Sequence, residues 1–104
     1  MCLFCNLRNN AVKENEFCYF IYDKYPTSPG HALVIPKRHI ETVFEATSEE
    51  WSAIGQLINV AKSEIEKNHK PTGYNIKINC GKSAGQEIFH AHVHLIPRGN
   101  QEDD

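Results

Sequence analysis

The feature that most restricts how this chain can fold is a strict alternation at 90–96, where the sequence reads His-Ala-His-Val-His-Leu-Ile. Successive side chains of a β-strand point to opposite faces, so a period of two predicts a strand. His90, His92 and His94 then share one face, and the apolar residues between them lie on the other. Because every buried imidazole needs hydrogen-bond partners, a row of three favours a functional surface over a packed core.

Two chemistries suit this histidine row, and both stay open at the level of the residues. Imidazoles at i and i+2 can bind a metal ion, and a further ring from elsewhere in the fold would complete a catalytic zinc site. Alternatively, one neutral imidazole acts as a nucleophile while its neighbours and backbone groups fix its tautomer. Three rings on one face of a strand extend about 13 Å, which is too long for one ion unless the strand bends. The spacing therefore favours the nucleophile.

The rest of the pattern predicts an α+β fold, in which a mostly antiparallel sheet carries one long helix on a face. Apolar and β-branched runs predict four strands, the last ending before Pro97: 17–23, 31–36, 74–79 and 88–96. Thr47 and Glu50 form a capping box that predicts the start of the helix. Its apolar face runs at helical spacing from Trp51 to Ile65.

Length and composition exclude several classes of protein. A chain of 104 residues has room for one domain, which we place at 1–99, before an acidic tail at 100–104 that we expect to be disordered. The net charge of -2 argues against a nucleic-acid partner. No apolar run approaches the roughly 20 residues of a membrane span, and no signal peptide is evident. Four cysteines without a secretory context predict a reducing, cytoplasmic location.

Together with its surroundings, the histidine row resembles the motif of the histidine triad (HIT) family of nucleotide hydrolases and transferases. The supporting segments are Pro-Gly-His-Ala-Leu-Val-Ile-Pro-Lys-Arg-His at 29–39, Asn79, Gly85-Gln86 and Leu-Ile-Pro-Arg at 95–98. The resemblance implies a five-stranded, mostly antiparallel sheet with one long helix, completed by a homodimer. It also implies hydrolysis of a purine nucleotide conjugate, either a dinucleoside polyphosphate or a nucleoside phosphoramidate.

The resemblance also implies the roles of the catalytic residues. His92 would attack the α-phosphorus and form a nucleotidyl–histidine intermediate, from which water releases the nucleoside monophosphate. A backbone carbonyl of the histidine strand would hold the proton on the other nitrogen of that ring. His94 and His31 would donate hydrogen bonds to the phosphate oxygens.

The same resemblance implies a nucleotide-binding set. Three residues match positions that contact the phosphate and the leaving group: Asn79, Gly85 and Gln86. Asp23 matches an acid that binds ribose hydroxyls, although a solvent-facing aspartate at a strand end is an alternative. Four apolar residues would line the base pocket, although plain core packing explains them nearly as well: Leu3, Phe4, Leu7 and Ile21. Glu87 departs from the family, in which many members carry Ser or Thr, and its carboxylate would repel a polyphosphate or, if protonated, act as an acid.

The C-x-x-C formed by Cys2 and Cys5 is by itself only half of a zinc site. Zinc-containing relatives, including the galactose-1-phosphate uridylyltransferase branch, complete theirs with two histidines whose positions match His39 and His90 here. The resemblance thus implies a structural Zn²⁺ with four protein ligands. The alternative is an exposed cysteine pair beside an ordinary loop histidine.

Two other classes of function remain open from the sequence. One is a nucleotide- or zinc-binding regulatory module with little turnover. The other is a metal-dependent hydrolase that uses the histidine row directly as ligands.

Overall fold

The computed structural model of the chain describes residues 2–99, so the predicted tail at 100–104 lies outside the described residues. Its helices and strands are α1 (Leu3–Leu7), β1 (Lys13–Glu14), β2 (Cys18–Tyr22), β3 (Ala32–Pro36), α2 (Ser48–Ile65), β4 (Gly73–Lys77) and β5 (Val93–Arg98). The five strands form one sheet in the order β1-β2-β3-β5-β4, and all neighbours are antiparallel. The predicted α+β class, with a five-stranded antiparallel sheet and one long helix, is confirmed.

The two faces of the sheet differ because successive residues of a strand alternate between them. Directly paired residues share a face, and the register aligns one row across four strands: Ile21, Leu33, His94 and Lys77. The neighbouring row lies on the opposite face: Phe20, Val34 and Val93. Helix α2 covers this second, apolar face. The first face packs against α1 through Phe4 and is open over the histidines.

Helix α2 begins where the sequence predicts, because both hydrogen bonds of the capping box form. The Glu50 amide donates to Thr47 Oγ1 at 3.1 Å, and the Thr47 amide donates to Glu50 Oε1 at 2.8 Å. Trp51, predicted to belong to the apolar face, is 43% exposed. At about 100° per residue it lies about 60° from the buried Ile54, at the margin of the packed stripe. Glu50 occupies the buried side instead, where its carboxylate binds the Arg38 guanidinium at 2.9 and 3.1 Å.

The histidine segment differs most from expectation. β5 begins only at Val93 and continues through Pro97 to Arg98, so the predicted strand over 88–96 is wrong at both ends. Residues before Val93 have no strand beside them, since pairing with β3 ends at Val34 and pairing with β4 ends at Lys77. Their backbone groups bond elsewhere; for example, the amide of Ala91 donates to the carbonyl of Ile40 at 2.7 Å.

Smaller differences from the sequence prediction concern element ends and two short elements. The observed β2, β3 and β4 each depart by one or two residues from the predicted ends. The two-residue β1 and the five-residue α1 have no sequence signal, because neither is long enough to show a period. Within residues 2–99, no helix combines the length and apolar character needed to cross a membrane.

Candidate functional site

A cleft of about 950 Å³ opens on the first face of the sheet, beside the start of β5. Eleven of the twelve residues predicted for catalysis or nucleotide binding line it: Leu3, Phe4, Leu7, Ile21, Asp23, His31, Asn79, Gly85, Glu87, His92 and His94. The fold therefore brings together positions that are up to 91 residues apart in the sequence, from Leu3 to His94. Gln86 is the one predicted residue that does not line the cleft.

His92 is held in one tautomer by the chain itself. Its Nδ1 lies 2.8 Å from the carbonyl oxygen of His90. A carbonyl oxygen only accepts, so Nδ1 carries the proton and Nε2 keeps its lone pair. The ring is 8% exposed and packs edge-on against Phe4, with centroids 5.0 Å apart. This arrangement leaves one unprotonated ring nitrogen available as a nucleophile beside the cleft.

His31 and His94 form a second chain of fixed rings. The amide of Thr27 donates to His31 Nδ1 at 3.0 Å, so the proton of the neutral His31 ring is on Nε2. This Nε2–H donates to His94 Nδ1 at 3.0 Å, which leaves the proton of His94 on its own Nε2. His31 is only 4% exposed and is the more buried of the two rings. In this arrangement His94 offers an N–H donor and His31 orients it.

Burial keeps the three rings neutral near pH 7. Loss of hydration lowers the pKa of His92, although its bond to the His90 carbonyl and the charge of Asp23 partly oppose this shift. The pKa of His94 falls to about 4, because burial and then the neighbouring histidines and Lys77 disfavour its charged form. Burial also lowers the pKa of His31, and Asp23 opposes it. A neutral imidazole is the form that a nucleophile requires.

Asp23 follows β2 and reaches the same end of the cleft. One carboxylate oxygen accepts the backbone amide of Tyr25 at 2.9 Å, and the other lies 3.6 Å from His31 Nε2. The side chain keeps a partly exposed edge toward the cleft. An oriented carboxylate of this kind can accept hydrogen bonds from the hydroxyls of a diol.

Gln86 connects three segments of backbone from a buried position. Its Oε1 accepts the amide of Gly81 at 2.7 Å, and its Nε2 donates to the carbonyls of Glu41 at 2.6 Å and Ile88 at 3.0 Å. These bonds occupy both ends of the carboxamide. The structure thus places Gln86 as the anchor of the loop that presents Gly85 and Glu87 to the cleft.

The four predicted zinc ligands converge beside the cleft. Ligand atoms of Cys2, Cys5, His39 and His90 all lie within 4.8 Å of one another. The Cys2 and Cys5 sulfurs are 3.1 and 3.6 Å from His90 Nδ1, and Cys5 Sγ is 3.5 Å from His39 Nδ1. In a tetrahedral zinc site with ordinary bond lengths, sulfur and nitrogen ligands lie about 3.6 Å apart. The spacing therefore suits Zn²⁺.

Both histidines of this cluster present the correct nitrogen. His90 Nε2 lies 2.7 Å from the carbonyl of Pro36, and His39 Nε2 lies 3.1 Å from that of Phe89. Each Nε2 must donate, so each Nδ1 has its lone pair free toward the sulfurs. Metal-binding histidines usually donate their second nitrogen in this way. The donor set fits a closed, structural zinc site.

Asp23, His31 and His94 also lie close enough together to suggest a metal site. The tautomer of His31 argues against that use. Its Nδ1 already accepts the Thr27 amide, so the Nε2 that faces the cluster carries a proton. Binding a metal there would require the ring to lose that proton. The cluster is therefore better described as a hydrogen-bonded chain.

Sequence reasoning missed several residues of the cleft wall, of which Lys77 bears most on its charge. Lys77 is paired with His94 in the sheet register and shares its face. The alternation from Lys77 to Asn79 could have revealed it, since residues two apart on a strand lie on the same side. Thr27 was also missed, because a backbone amide that orients a histidine has no sequence signature.

Comparison with known proteins places the fold just described in a family. A family model described as HIT domain matches residues 6–101. The chain belongs to the histidine triad family. A solved histidine triad nucleotide-binding protein from Sulfolobus tokodaii shares 40% identity, with a TM-score of 0.85 over 93% of this HIT chain and 68% of the other.

Two further similarities concern zinc and chemistry. A zinc-bound histidine triad family protein from Mycobacterium smegmatis is 35% identical to this HIT chain, with a TM-score of 0.77 over 97% of it and 77% of that structure. Adenylylsulfatase HINT3 of Arabidopsis thaliana is 34% identical over 102 residues, which cover 93% of this chain and 52% of the plant protein.

Proposed function

We propose that this HIT protein hydrolyses nucleotide conjugates at the α-phosphate through a nucleotidyl intermediate on His92, and releases a nucleoside monophosphate. The observation that carries this proposal is the fixed tautomer of His92. Its Nδ1–H is held by the carbonyl of His90, and its unprotonated Nε2 is next to a cleft of nucleotide size.

The reaction proceeds in two balanced steps. His92 Nε2 uses its lone pair to form a bond to the α-phosphorus, and the bond from phosphorus to the leaving group breaks with its electron pair on the leaving group. Water then attacks the same phosphorus, and the bond to Nε2 breaks with its electron pair returned to His92. Over both steps one water is consumed: its hydroxyl ends on phosphorus and the other proton ends on the leaving group.

His94 supports the developing charge. Its Nε2–H is a fixed donor beside His92, with ring centroids 5.1 Å apart, and it can donate to a phosphate oxygen in both steps. His31 acts through His94 by holding that ring in place. We assign His92 and His94 as catalytic residues and His31 as a positioning residue.

The remainder of the cleft accommodates the nucleoside. We assign Asp23 to the ribose hydroxyls. We assign the apolar residues of the cleft lining to the base, since three of the four belong to one packed cluster: Leu3, Phe4, Leu7 and Ile21. Asn79 and Gly85 lie on the loop side, where Asn79 Nδ2 donates to the Gly85 carbonyl at 3.5 Å. We place the leaving group there, next to the α-phosphate that His92 attacks. The name of the plant relative, adenylylsulfatase, supports an adenylyl conjugate as substrate.

Zinc has a structural role in this proposal. Bound by Cys2, Cys5, His39 and His90, it would join the N-terminal segment to the residues that precede β5. All four positions are filled by protein, so no ligand position remains for water or substrate. In this proposal the reaction is carried out by His92 and His94 in the cleft.

The decisive experiment traps the intermediate. The purified protein is mixed separately with adenosine phosphoramidate and diadenosine tetraphosphate, quenched in denaturant at neutral or alkaline pH, and its intact mass is measured. We expect a nucleotidyl adduct on the wild type and none on His92→Ala. His69→Ala, which changes a histidine outside the cleft, serves as the control. Turnover that persists in His92→Ala would contradict the proposal.

A further inference from the structure

The carboxylate of Glu87 has a defined place on the cleft wall but no function within the fold. Glu87 is exposed and lines the cleft, and within residues 2–99 it forms neither an ion pair nor a side-chain hydrogen bond. The neighbouring Gln86 is buried and bonded to three backbone groups, which fixes the loop at this point. The backbone that carries Glu87 is therefore held in place beside the cleft.

The charges around the cleft are balanced rather than positive. Four ionised side chains line it: Asp23, Lys24, Lys77 and Glu87. Their formal charges cancel, whereas a cleft built for a polyphosphate chain would carry excess positive charge. The two carboxylates belong to different segments of the cleft lining, because Asp23 follows β2 beside His31 and Glu87 is on the loop with Gly85.

Lys77 and Glu87 therefore differ in what they face. Lys77 shares a face with His94, where the α-phosphate would lie, and its charge suits that single phosphate. Glu87 is on the loop side of the cleft, where the proposed function puts the leaving group. A negative charge at that point attracts a cationic leaving group and repels an anionic one.

We propose that Glu87 determines specificity, and that the substrates of this protein are nucleoside phosphoramidates whose leaving group is an amine bearing a further positive charge. Dinucleoside polyphosphates are then poor substrates, because their leaving groups bring several negative charges next to this carboxylate. The inference rests on the proposed function, since it assumes that the leaving group departs on the Glu87 side of the α-phosphate.

The test uses three adenosine 5′-phosphoramidates that differ only in the charge of the amine: 1,2-diaminoethane as the cation, propylamine as the neutral compound and β-alanine as the anion. The kcat/KM of each is measured for the wild type, Glu87→Gln and Glu87→Lys at pH 7 and fixed ionic strength. Intrinsic differences in the phosphorus–nitrogen bonds cancel when two proteins are compared on the same compounds. Glu16→Gln, which removes an exposed carboxylate outside the cleft, is the matched control.

For the wild type we expect kcat/KM to fall from the cationic to the neutral to the anionic compound. In Glu87→Gln the ratio of kcat/KM for the cationic compound to kcat/KM for the anionic compound should fall by roughly tenfold. This corresponds to about threefold for each charged compound relative to the neutral one, as expected for one exposed charge pair. Glu87→Lys should reverse the order and improve turnover of diadenosine tetraphosphate. Glu16→Gln should leave the ratio unchanged. A ratio in Glu87→Gln within twofold of the wild-type value would overturn the inference.

Failure of the proposed function gives a different result. In that case no compound is turned over and no adduct forms on His92. Binding of the same three compounds to wild type and Glu87→Gln, each in a His92→Ala background, then reports the charge preference of the cleft directly by calorimetry. If the His92→Ala protein that retains Glu87 binds the three compounds with equal affinity, the inference is also overturned.

Discussion

At the scale of single residues, backbone carbonyls determine which ring nitrogen of His90 and of His92 is unprotonated. The carbonyl of Pro36 accepts a hydrogen bond from His90 Nε2–H, so the Nδ1 lone pair of His90 faces the cysteines. The carbonyl of His90 accepts a hydrogen bond from His92 Nδ1–H, so His92 Nε2 is unprotonated. Two identical side chains, two positions apart, thus expose opposite ring nitrogens for a metal and for a nucleophile.

The first prediction concerns His31 as a positioning residue. His31→Phe keeps a ring of similar size but removes the donor to His94 Nδ1, so His94 loses its orientation. We expect kcat to fall by about 10- to 100-fold, the size of effect that a misplaced catalytic group produces, with little change in KM. His31→Gln, which can donate to the same nitrogen, should restore part of the loss. An unchanged kcat in His31→Phe would exclude the positioning role.

The second prediction follows from the low pKa of His94. Its pKa falls from 6.5 to about 4 on folding, mainly through burial, so between these values the unfolded ring binds a proton that the folded ring does not. Its contribution to the free energy of unfolding is therefore complete above about pH 6.5 and is lost as the pH falls toward 4. Between pH 6.5 and pH 4 the free energy of unfolding should therefore fall less in His94→Asn than in the wild type, by on the order of 2 kcal/mol.

Urea unfolding at a series of pH values measures this effect. His69→Asn is the matched control, because it removes a histidine outside the cleft. Identical slopes for the wild type and His94→Asn would show that the ring titrates as it does in the unfolded chain.

At the scale of elements, α1 connects the proposed zinc site to the cleft. A five-residue helix is not stable alone, so its surroundings must hold it. Cys2 caps it by accepting the amide of Cys5 at 3.4 Å. Phe4 packs edge-on against His92, and the Tyr19 hydroxyl donates to the backbone carbonyl of Phe4. The same short helix and its N-cap therefore carry two of the proposed zinc ligands and part of the proposed base pocket.

The third prediction tests this connection. Cys5→Ser should remove stoichiometric zinc, which the wild type is expected to hold in reducing buffer. It should also lower stability by about 2 kcal/mol, or roughly 10 °C in Tm, because α1 loses its attachment. Nucleotide affinity should decrease with it, since Leu3, Phe4 and Leu7 line the cleft.

Elemental analysis, calorimetric melting and nucleotide titration provide the three readouts. Cys80→Ser is the control, because Cys80 is half-buried and outside the metal cluster. A wild-type protein without zinc under these conditions would refute the structural zinc site.

At the scale of the whole molecule, the two edges of the sheet are unequal. β1 ends the sheet on one side with two charged residues, Lys13 and Glu14, which discourage pairing with another chain. β4 ends it on the other side and is five residues long, with Ile76 58% exposed. An edge of this length with an exposed isoleucine favours association, and the predicted homodimer should form there.

The fourth prediction is accordingly a dimer that depends on β4. Analytical ultracentrifugation should give about twice the 11.9 kDa chain mass for the wild type. Ile76→Glu should shift the equilibrium toward the monomer, because a charge would have to be buried in the interface. Val60→Glu, an equally large change at an exposed position of α2, tests whether the effect is confined to the β4 edge. A monomeric wild type at high concentration would contradict the prediction.

Local patterns predict the elements that depend on local interactions. The start of α2 was predicted because Thr47 and Glu50 satisfy each other's backbone amides within four residues. The family motif predicts the cleft residues, and the fold brings all of them but Gln86 into the lining of one cleft. The histidine strand was mispredicted over 88–92, because alternation describes the side chains and carries no information about whether a neighbouring strand is present.

The sequence by itself determined the α+β architecture and the family, since alternation, capping and motif spacing are properties of neighbouring residues. The tertiary structure alone decided which histidine nitrogen is free, that His31 bonds to His94, and that Glu87 lines the cleft while Gln86 does not. These properties depend on backbone groups that are distant in sequence and meet only in the fold. The hydrogen-bond partner of one ring nitrogen determines whether the other nitrogen is protonated, and the order of residues in the chain does not specify that partner.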